Sequence, residues 1–246
     1  MTTNGLQGFD LVIFDWAGTM VDFGCRAPVT ALIDAFAARG VTLAEAAARA
    51  DMGKAKVDHV RALLARPDVA QAWTAAVGRP SDASDVEALM EDLGPRMRDQ
   101  AALAADLIPG AAETAAGLRA AGLKVASSTG YTREMMEPVL TRAAAQGYAP
   151  DHLVCAGETP QGRPTPLMIY KTCAELGVWP LSRVIKVDDA EAGVAEGRAA
   201  GCFTVGLAAS GNGVGLSQAA LAALSPEDRE ARLSQVRAAL TAAGAD

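Results

Sequence analysis

No run of apolar residues in this 246-residue chain approaches the twenty or so that a membrane-spanning helix needs. Met1–Asp10 has no basic stretch ahead of an apolar core, so no secretory leader is expected and the location read from the sequence is cytoplasmic. Cysteine is sparse: Cys25, Cys155, Cys173 and Cys202 stand far apart with no Cys-x-x-Cys pair, which suggests neither a zinc site nor a disulfide framework and leaves four free, buried thiols. Positive charge is in short supply, with 22 Lys and Arg against 29 Asp and Glu and a formal net charge of −7. A protein of that sign does not attract nucleic acid or an anionic membrane as a whole, so neither is expected as a partner, although a local basic pocket for phosphate stays open. No helical stretch is long enough for a coiled coil. What the chain does have is a half share of hydrophobic residues, enough to bury a substantial core in one large or two modest domains.

Residues 11 to 22, Leu-Val-Ile-Phe-Asp-Trp-Ala-Gly-Thr-Met-Val-Asp, organise the rest. Leu11–Phe14 reads as a strand buried on both faces of a parallel sheet, and Gly18 marks its exit. Asp15 therefore falls at the strand's carboxyl end, the edge where open α/β sheets bind ligands. Taken alone, Asp15 could equally cap the turn that follows.

After that loop the pattern turns helical for about eighty residues, with Val29, Leu32, Ile33 and Phe36 on one face of a helix over 28–39 that starts at Pro28 and ends at Gly40. Further helices are expected over 43–50, 56–66, 69–77 and 86–103, with Gly53, Pro67, Gly78 to Pro80 and Gly94-Pro95 as punctuation. Ala-rich helices bury little area each, so this bundle should lean on a neighbouring domain. From Leu107 onward strands at 123–127, 152–155, 183–187 and 202–206 alternate with helices, the sequence form of a parallel α/β sheet. The glycine-rich 210–215 stretch reads as a flexible flap, and Ser225 as the cap of a last helix. The expected organisation is an α/β, doubly wound, Rossmann-like core over 1–24 and 105–246, with an all-helical cap inserted over 25–104.

The strand ends carry the chemistry. They deliver Asp15, then Ser128 and Thr129, then Arg163 in the following loop, then Asp188 and Asp189; hydroxyls and a guanidinium bind oxyanions, and clustered carboxylates bind Mg²⁺. In this order they resemble the motifs of the haloacid dehalogenase superfamily. Asp-Trp-Ala-Gly-Thr at 15–19 is similar to the nucleophile loop of its phosphatases, which usually read Asp-x-Asp-Gly-Thr and use the second Asp as a general acid; here that position is Ala17. Four segments resemble the phosphonoacetaldehyde hydrolase (phosphonatase) family more closely. They are Phe-Asp-Trp-Ala-Gly-Thr at 14–19, Met-Gly-Lys-Ala-Lys-Val-Asp-His-Val-Arg-Ala-Leu at 52–63, Ser-Thr-Gly-Tyr-Thr-Arg-Glu-Met-Met at 128–136 and Gly-Arg-Pro-Thr-Pro at 162–166.

That resemblance implies hydrolysis of the carbon–phosphorus bond of phosphonoacetaldehyde, a small-molecule phosphonate, to acetaldehyde and phosphate. It implies Asp15 as nucleophile and Lys56 as the amine of a Schiff base, with Met52 and His59 near the lysine. It implies Ala17, Cys25, Thr129, Gly130, Tyr131 and Arg163 around substrate and phosphate, and Mg²⁺ at Asp15, Ala17, Asp189 and Asp188. It also implies a homodimer. Many superfamily members carry a second acid four residues after the first metal aspartate, where this chain has Gly193; Asp188 or Glu191 are the available substitutes.

The chemistry accounts for Ala17. Direct P–C cleavage would expel a carbanion, whereas an iminium accepts the electrons as an enamine and needs no acid at position 17. The base for the second, dephosphorylating step is not identified by the sequence. Lys56 falls on the helical arc of Val57, Val60, Leu63 and Leu64, where desolvation would bring its pKa from about 10.4 toward 7 or 8. His59 lies one turn along, close enough to share proton transfers, or else is a plain core histidine. Lys54 points the other way and should be solvated, with Asp58 four residues on. Two alternatives remain: a phosphatase or phosphomutase of the same superfamily, against which Ala17 counts, and a catalytically idle phosphate-binding relative, against which Asp15, Lys56 and the acidic pair count.

Overall fold

Five short parallel strands are stacked in the order β3-β2-β1-β4-β5 in this computed structural model, which describes residues 3–246. They are β1 (Leu11–Phe14), β2 (Lys124–Ser128), β3 (His152–Val154), β4 (Val184–Asp188) and β5 (Phe203–Gly206). The chain steps outward from β1 to β2 and β3, then returns past β1 to β4 and β5. The reversal opens a crevice at the carboxyl ends of β1 and β4, the ligand position of a doubly wound sheet.

The two-residue period of a strand sorts its side chains between two layers. Val12, Phe14, Val125, Ile185 and Val187 join the main core, while Leu11, Ile13, Ala126 and Val184 face the other layer with Ile169, Cys173 and Ala200. The helices of that second layer are α8 (Leu167–Leu176) and α9 (Glu191–Ala200). The first layer includes α6 (Ala111–Ala120) and α7 (Arg133–Ala145). The chain closes with α10 (Gln218–Ala222) and α11 (Pro226–Ala243), the latter capped by Ser225 Oγ, which accepts from Asp228 N–H at 3.0 Å.

Between β1 and α6 lie five helices: α1 (Ala27–Ala37), α2 (Glu45–Ala50), α3 (Lys56–Ala65), α4 (Pro67–Val77) and α5 (Ala83–Leu103). The α5 helix packs on both α1 and α7, so the helical unit leans on the sheet domain as the Ala-rich composition demands. No helix among the described residues is long and apolar enough to cross a membrane.

The structure departs from the sequence reading in four places. The α5 helix runs unbroken through Gly94 and Pro95, because its buried stripe Leu89, Leu93, Met97 and Ala101 continues on both sides of the missing N–H. The α6 helix was not expected; its buried face is only Ala111 and Ala115, too small to give an apolar period. Lys54 precedes α3 and pairs with Asp51 rather than Asp58, which pairs with Arg61 at 3.1 Å; outside a helix the four-residue spacing has no meaning. The glycine-rich 210–215 stretch is an ordered bridge. Asn212 N–H donates to Asp189 Oδ2 (2.8 Å), Asn212 Nδ2 donates to the Arg49 carbonyl (3.0 Å), and Ser210 Oγ donates to the Gly18 carbonyl (2.7 Å).

Candidate active site

Asp15 continues β1 by one residue, its N–H donating to the Val187 carbonyl at 3.0 Å, which fixes it in register with β4. In the loop that follows, the Trp16 carbonyl receives the N–H groups of Thr19, Met20 and Val21, and the Gly18 N–H donates to the Val21 carbonyl at 2.7 Å. Gly18 is required twice over. Its φ is +88°, and a Cβ there would lie 2.3 Å from Asp189 Oδ2.

A buried network of charges surrounds Asp15. Arg163 donates from Nη1 to Asp15 Oδ1 (2.7 Å), from Nε to Glu196 Oε2 (3.0 Å) and from Nη2 to the Ser128 carbonyl (2.8 Å) and Oγ (3.0 Å). Lys186, wholly buried on β4, reaches Asp188 Oδ2 (2.9 Å), Ser128 Oγ (3.0 Å) and Glu196 Oε2 (3.5 Å). Glu196 gets this close because α9 approaches the sheet at Gly197, where a Cβ would stand 2.9 Å from Lys186 Cβ. Neither Lys186 nor Glu196 was picked out from the sequence as a site residue. The available signal was a lysine inside Val184-Ile185-Lys186-Val187, a run otherwise fit for full burial, which obliges a buried partner.

Asp15, Asp188 and Asp189 each offer a carboxylate oxygen, and these atoms lie within 4.8 Å of one another. Burial and then the neighbouring Asp188 push Asp15 up to about 6 in spite of Arg163 and Lys186. Asp189 is pushed well above the usual carboxylate range by burial, Asp15 and Asp188, against donors that are only the Asn212 N–H and the Thr19 hydroxyl. Burial also works against Asp188, yet Lys186 and Arg163 outweigh it and hold its carboxyl below that range. Hard oxygens crowded in this way, those of Asp189 with no cationic side chain in contact, fit a divalent cation. Glu191, the other substitute considered for an acid at 193, is exposed and stands outside the group.

The helical unit closes over this edge with the loop 51–55. Gly53 faces Ala190, Gly130 faces the Gly53 and Lys54 carbonyls, and Gly162 faces Ala55; a Cβ on Gly130 would come within 2.9 Å of the Lys54 oxygen. Lys56, the first residue of α3, is buried, with Nζ 3.8 Å from Met52 Sδ and 5.8 Å from the centroid of the Tyr131 ring. It has no carboxylate in ion-pair contact among the described residues. Burial lowers its pKa to about 8, with Arg163 adding to the effect and Cys25 and Asp15 opposing it. His59 is fully buried and held neutral, its pKa lowered to about 3 by burial and then by Lys56. Neither of its ring nitrogens makes a hydrogen bond; the Ala48 carbonyl is nearby but outside bonding geometry. The Cys25 thiol, at a residue with φ +48°, is likewise kept protonated by burial.

Asp15, Ala17, Cys25, Met52, Thr129, Gly130, Arg163 and Asp189 converge on one narrow, partly open cavity of about 20 Å³, together with Gly53 and Ala190, which the sequence reading did not mark. Lys56 and Tyr131 pack beside it, joined through Met52; His59 lies further along α3, and Asp188 on the strand side. A wider cleft of about 620 Å³, sharing Met52, Asp189 and Ala190, opens between α2, α9 and α11.

A carboxylate at the end of β1, an acid pair after β4 and a helical lid inserted behind the first loop are the parts of a phosphoryl-transfer hydrolase, and the chain belongs to the haloacid dehalogenase-like hydrolases, whose family model matches residues 9–201. Within that class it falls in the phosphonoacetaldehyde hydrolase family. It is 45% identical over 234 residues to phosphonoacetaldehyde hydrolase of Paraburkholderia xenovorans, covering 95% of this chain and 88% of that one. It is 41% identical over 228 residues to the Bacillus cereus enzyme of the same name, with 93% and 86% covered. The crystal structure of a phosphonoacetaldehyde hydrolase-like protein from Oleispira antarctica superposes with a TM-score of 0.95 at 38% identity, over 98% of this chain and 87% of that one.

Proposed function

We propose that this protein hydrolyses the carbon–phosphorus bond of phosphonoacetaldehyde through an iminium at Lys56 and an aspartyl phosphate at Asp15. The observation that carries the reading is Lys56 itself, a buried lysine without an anionic partner, set beside the cavity that Asp15 lines. A buried ammonium without a carboxylate is disfavoured, and its release as free amine is what condensation with an aldehyde requires.

The sequence of events follows from the residues. The Lys56 amine adds to the aldehyde carbon and water is expelled, leaving a cationic iminium joined to the phosphonate carbon. Asp15 attacks phosphorus; the P–C electron pair moves into the iminium, giving a neutral enamine and an aspartyl phosphate. Protonation of the enamine carbon and hydrolysis return Lys56 and free acetaldehyde, and water then cleaves the aspartyl ester to phosphate. Arg163, locked on Asp15, balances the charge of the phosphoryl oxygens, with the Thr129 and Gly130 loop on the same wall of the cavity. Tyr131 and Met52 pack against Lys56 and keep water away from it, and that burial makes its proton easier to lose. The fully buried His59, held neutral, lies three residues along α3 from Lys56.

Mg²⁺ is the cation proposed, with Asp15, Asp189 and Ala17 as the residues that would hold it; when bound it offsets the repulsion between the carboxylate and the phosphonate. The test is phosphate release from phosphonoacetaldehyde, from a generic phosphate ester, and from phosphonoacetaldehyde with EDTA. Release from the first alone supports the reading. Release from the ester in preference would replace it with a phosphatase.

A further inference from the structure

We propose that Asp188 is a positioning residue: its carboxylate, delivered from the end of β4 into the space that a side chain at position 193 would fill, holds Arg163 and Lys186 in place beside Asp15. The proposal rests on the reading of Asp15 as the phosphoryl acceptor.

Position 193 on α9 is glycine, and a Cβ built on it would fall 1.9 Å from Asp188 Oδ2, 2.1 Å from Cγ and 2.4 Å from Oδ1. The Asp188 carboxylate therefore sits where the side chain of residue 193 would begin. An acid at 193 and an acid at 188 compete for one place. This chain fills it from the strand and leaves the helix position empty.

One oxygen of Asp188 is hydrogen-bonded, and the other is held by ion pairs alone. Oδ1 accepts the Ala190 N–H at 3.1 Å, which anchors the turn into α9, and Oδ2 lies between Lys186 Nζ at 2.9 Å and Arg163 Nη1 at 3.4 Å. Glu196 grips the same two cations from the other side, and Ser128 Oγ accepts from both. Arg163, Lys186, Asp188 and Glu196 thus form a buried cluster in which two cations meet two carboxylates. Asp189 differs in kind, since its donors are a hydroxyl and an amide N–H and no cation touches it.

The cluster matters because Arg163 Nη1 serves Asp15 and Asp188 together. Forming the aspartyl ester removes the negative charge of Asp15. Asp188 then remains as the fixed charge that keeps the guanidinium aimed at the phosphoryl group, while Lys186 keeps Asp188 from swinging toward the substrate.

The test compares wild type with Asp188→Asn, Asp189→Asn, Asp188→Gly and the relocated pair Asp188→Gly/Gly193→Asp. Calorimetry gives Mg²⁺ affinity and inorganic phosphate affinity without turnover, and kinetics give kcat and KM at saturating Mg²⁺. Asp188→Asn and Asp189→Asn each remove one charge from the same group, so the difference between them isolates ligation. We expect Asp188→Asn to lower kcat by about 10- to 100-fold even at saturating Mg²⁺, with a loss of Mg²⁺ affinity at least about tenfold smaller than that of Asp189→Asn. Moving the acid to 193 should bring kcat and phosphate affinity back to within about tenfold of wild type, well above Asp188→Gly alone. The proposal is overturned if Asp188→Asn matches Asp189→Asn in lost Mg²⁺ affinity, if its kcat at saturating Mg²⁺ stays within about twofold of wild type, or if the relocated acid gains nothing over Asp188→Gly. Should the relocated pair not fold, the near-isosteric Asp188→Asn decides. Failure of wild type itself to act on phosphonoacetaldehyde would reject the proposed function, and the two calorimetric affinities would still judge Asp188.

Discussion

Lys56 Nζ lies 3.8 Å from Met52 Sδ, and that thioether is its only hydrogen-bond-type contact among the described residues. The other buried lysine described above, Lys186, has two carboxylates and a hydroxyl instead. The contrast separates a lysine held between carboxylates from one kept ready to lose its proton.

Activity should therefore follow the free amine of Lys56. With its pKa lowered to about 8 by burial, roughly a tenth is neutral at pH 7, and kcat/KM should fall tenfold for each unit below that. The groups that face it are Cys25 and Tyr131, held as neutral thiol and phenol, the neutral His59, and the more distant Asp15 and Arg163. A rate profile measured from pH 6 to 9 checks this; an acid limb near the ordinary range of an exposed lysine would contradict it.

The same burial costs stability. The folded pKa of Lys56 is below its ordinary value, so the penalty is fully present below pH 8 and fades as pH rises toward 10.5. Lys56→Met should abolish turnover and raise stability at pH 7 by about 1–3 kcal/mol, the gain shrinking toward pH 10. Denaturant unfolding of both proteins at pH 7 and 9.5 measures the difference.

Asp15→Asn should remove turnover almost completely while Tm stays level or rises. The amide keeps an oxygen for Arg163 Nη1 and relieves a carboxylate buried beside Asp188. Appreciable activity in a preparation free of deamidation would contradict the assignment of Asp15.

Gly130→Ala tests the seat of loop 51–55. The added methyl would meet the Lys54 carbonyl at 2.9 Å and the Gly53 carbonyl at 3.2 Å, both backbone, so the loop carrying Met52 must shift outward. A displacement of order 1 Å in a reacting geometry costs roughly 10²-fold. We expect kcat/KM to drop on that scale with Tm little changed; unaltered kinetics would show that the loop does not need to seat there.

Much of this was legible in the sequence because strand ends and turn residues are local signals. The apolar run Leu11–Phe14 placed Asp15 at the sheet edge, and the arc of Val57, Val60, Leu63 and Leu64 placed Lys56 on the buried side of α3, where it lies. Lys186 could have been suspected from its place inside an apolar strand run, but its partner Glu196 and the Asp188–Gly193 relation were not legible, since each depends on how closely α9 approaches β4, a distance set by packing at Gly197 rather than by any residue period. The loop 210–215 misled for a related reason. Its glycines mark close approach, not freedom of movement: a Cβ on Gly211 would lie 2.3 Å from Asp189 Cβ, one on Gly213 2.8 Å from Val236 Cγ1 and one on Gly215 2.9 Å from Arg49 Cζ.

The most direct test of the central claim is borohydride reduction in the presence of phosphonoacetaldehyde. An iminium at Lys56 predicts irreversible loss of activity, with the added mass on the peptide carrying Lys56 and none on Lys54, and no labelling in Lys56→Arg, whose guanidinium stays protonated. Full activity after borohydride and aldehyde together, or a label confined to Lys54, would contradict the account.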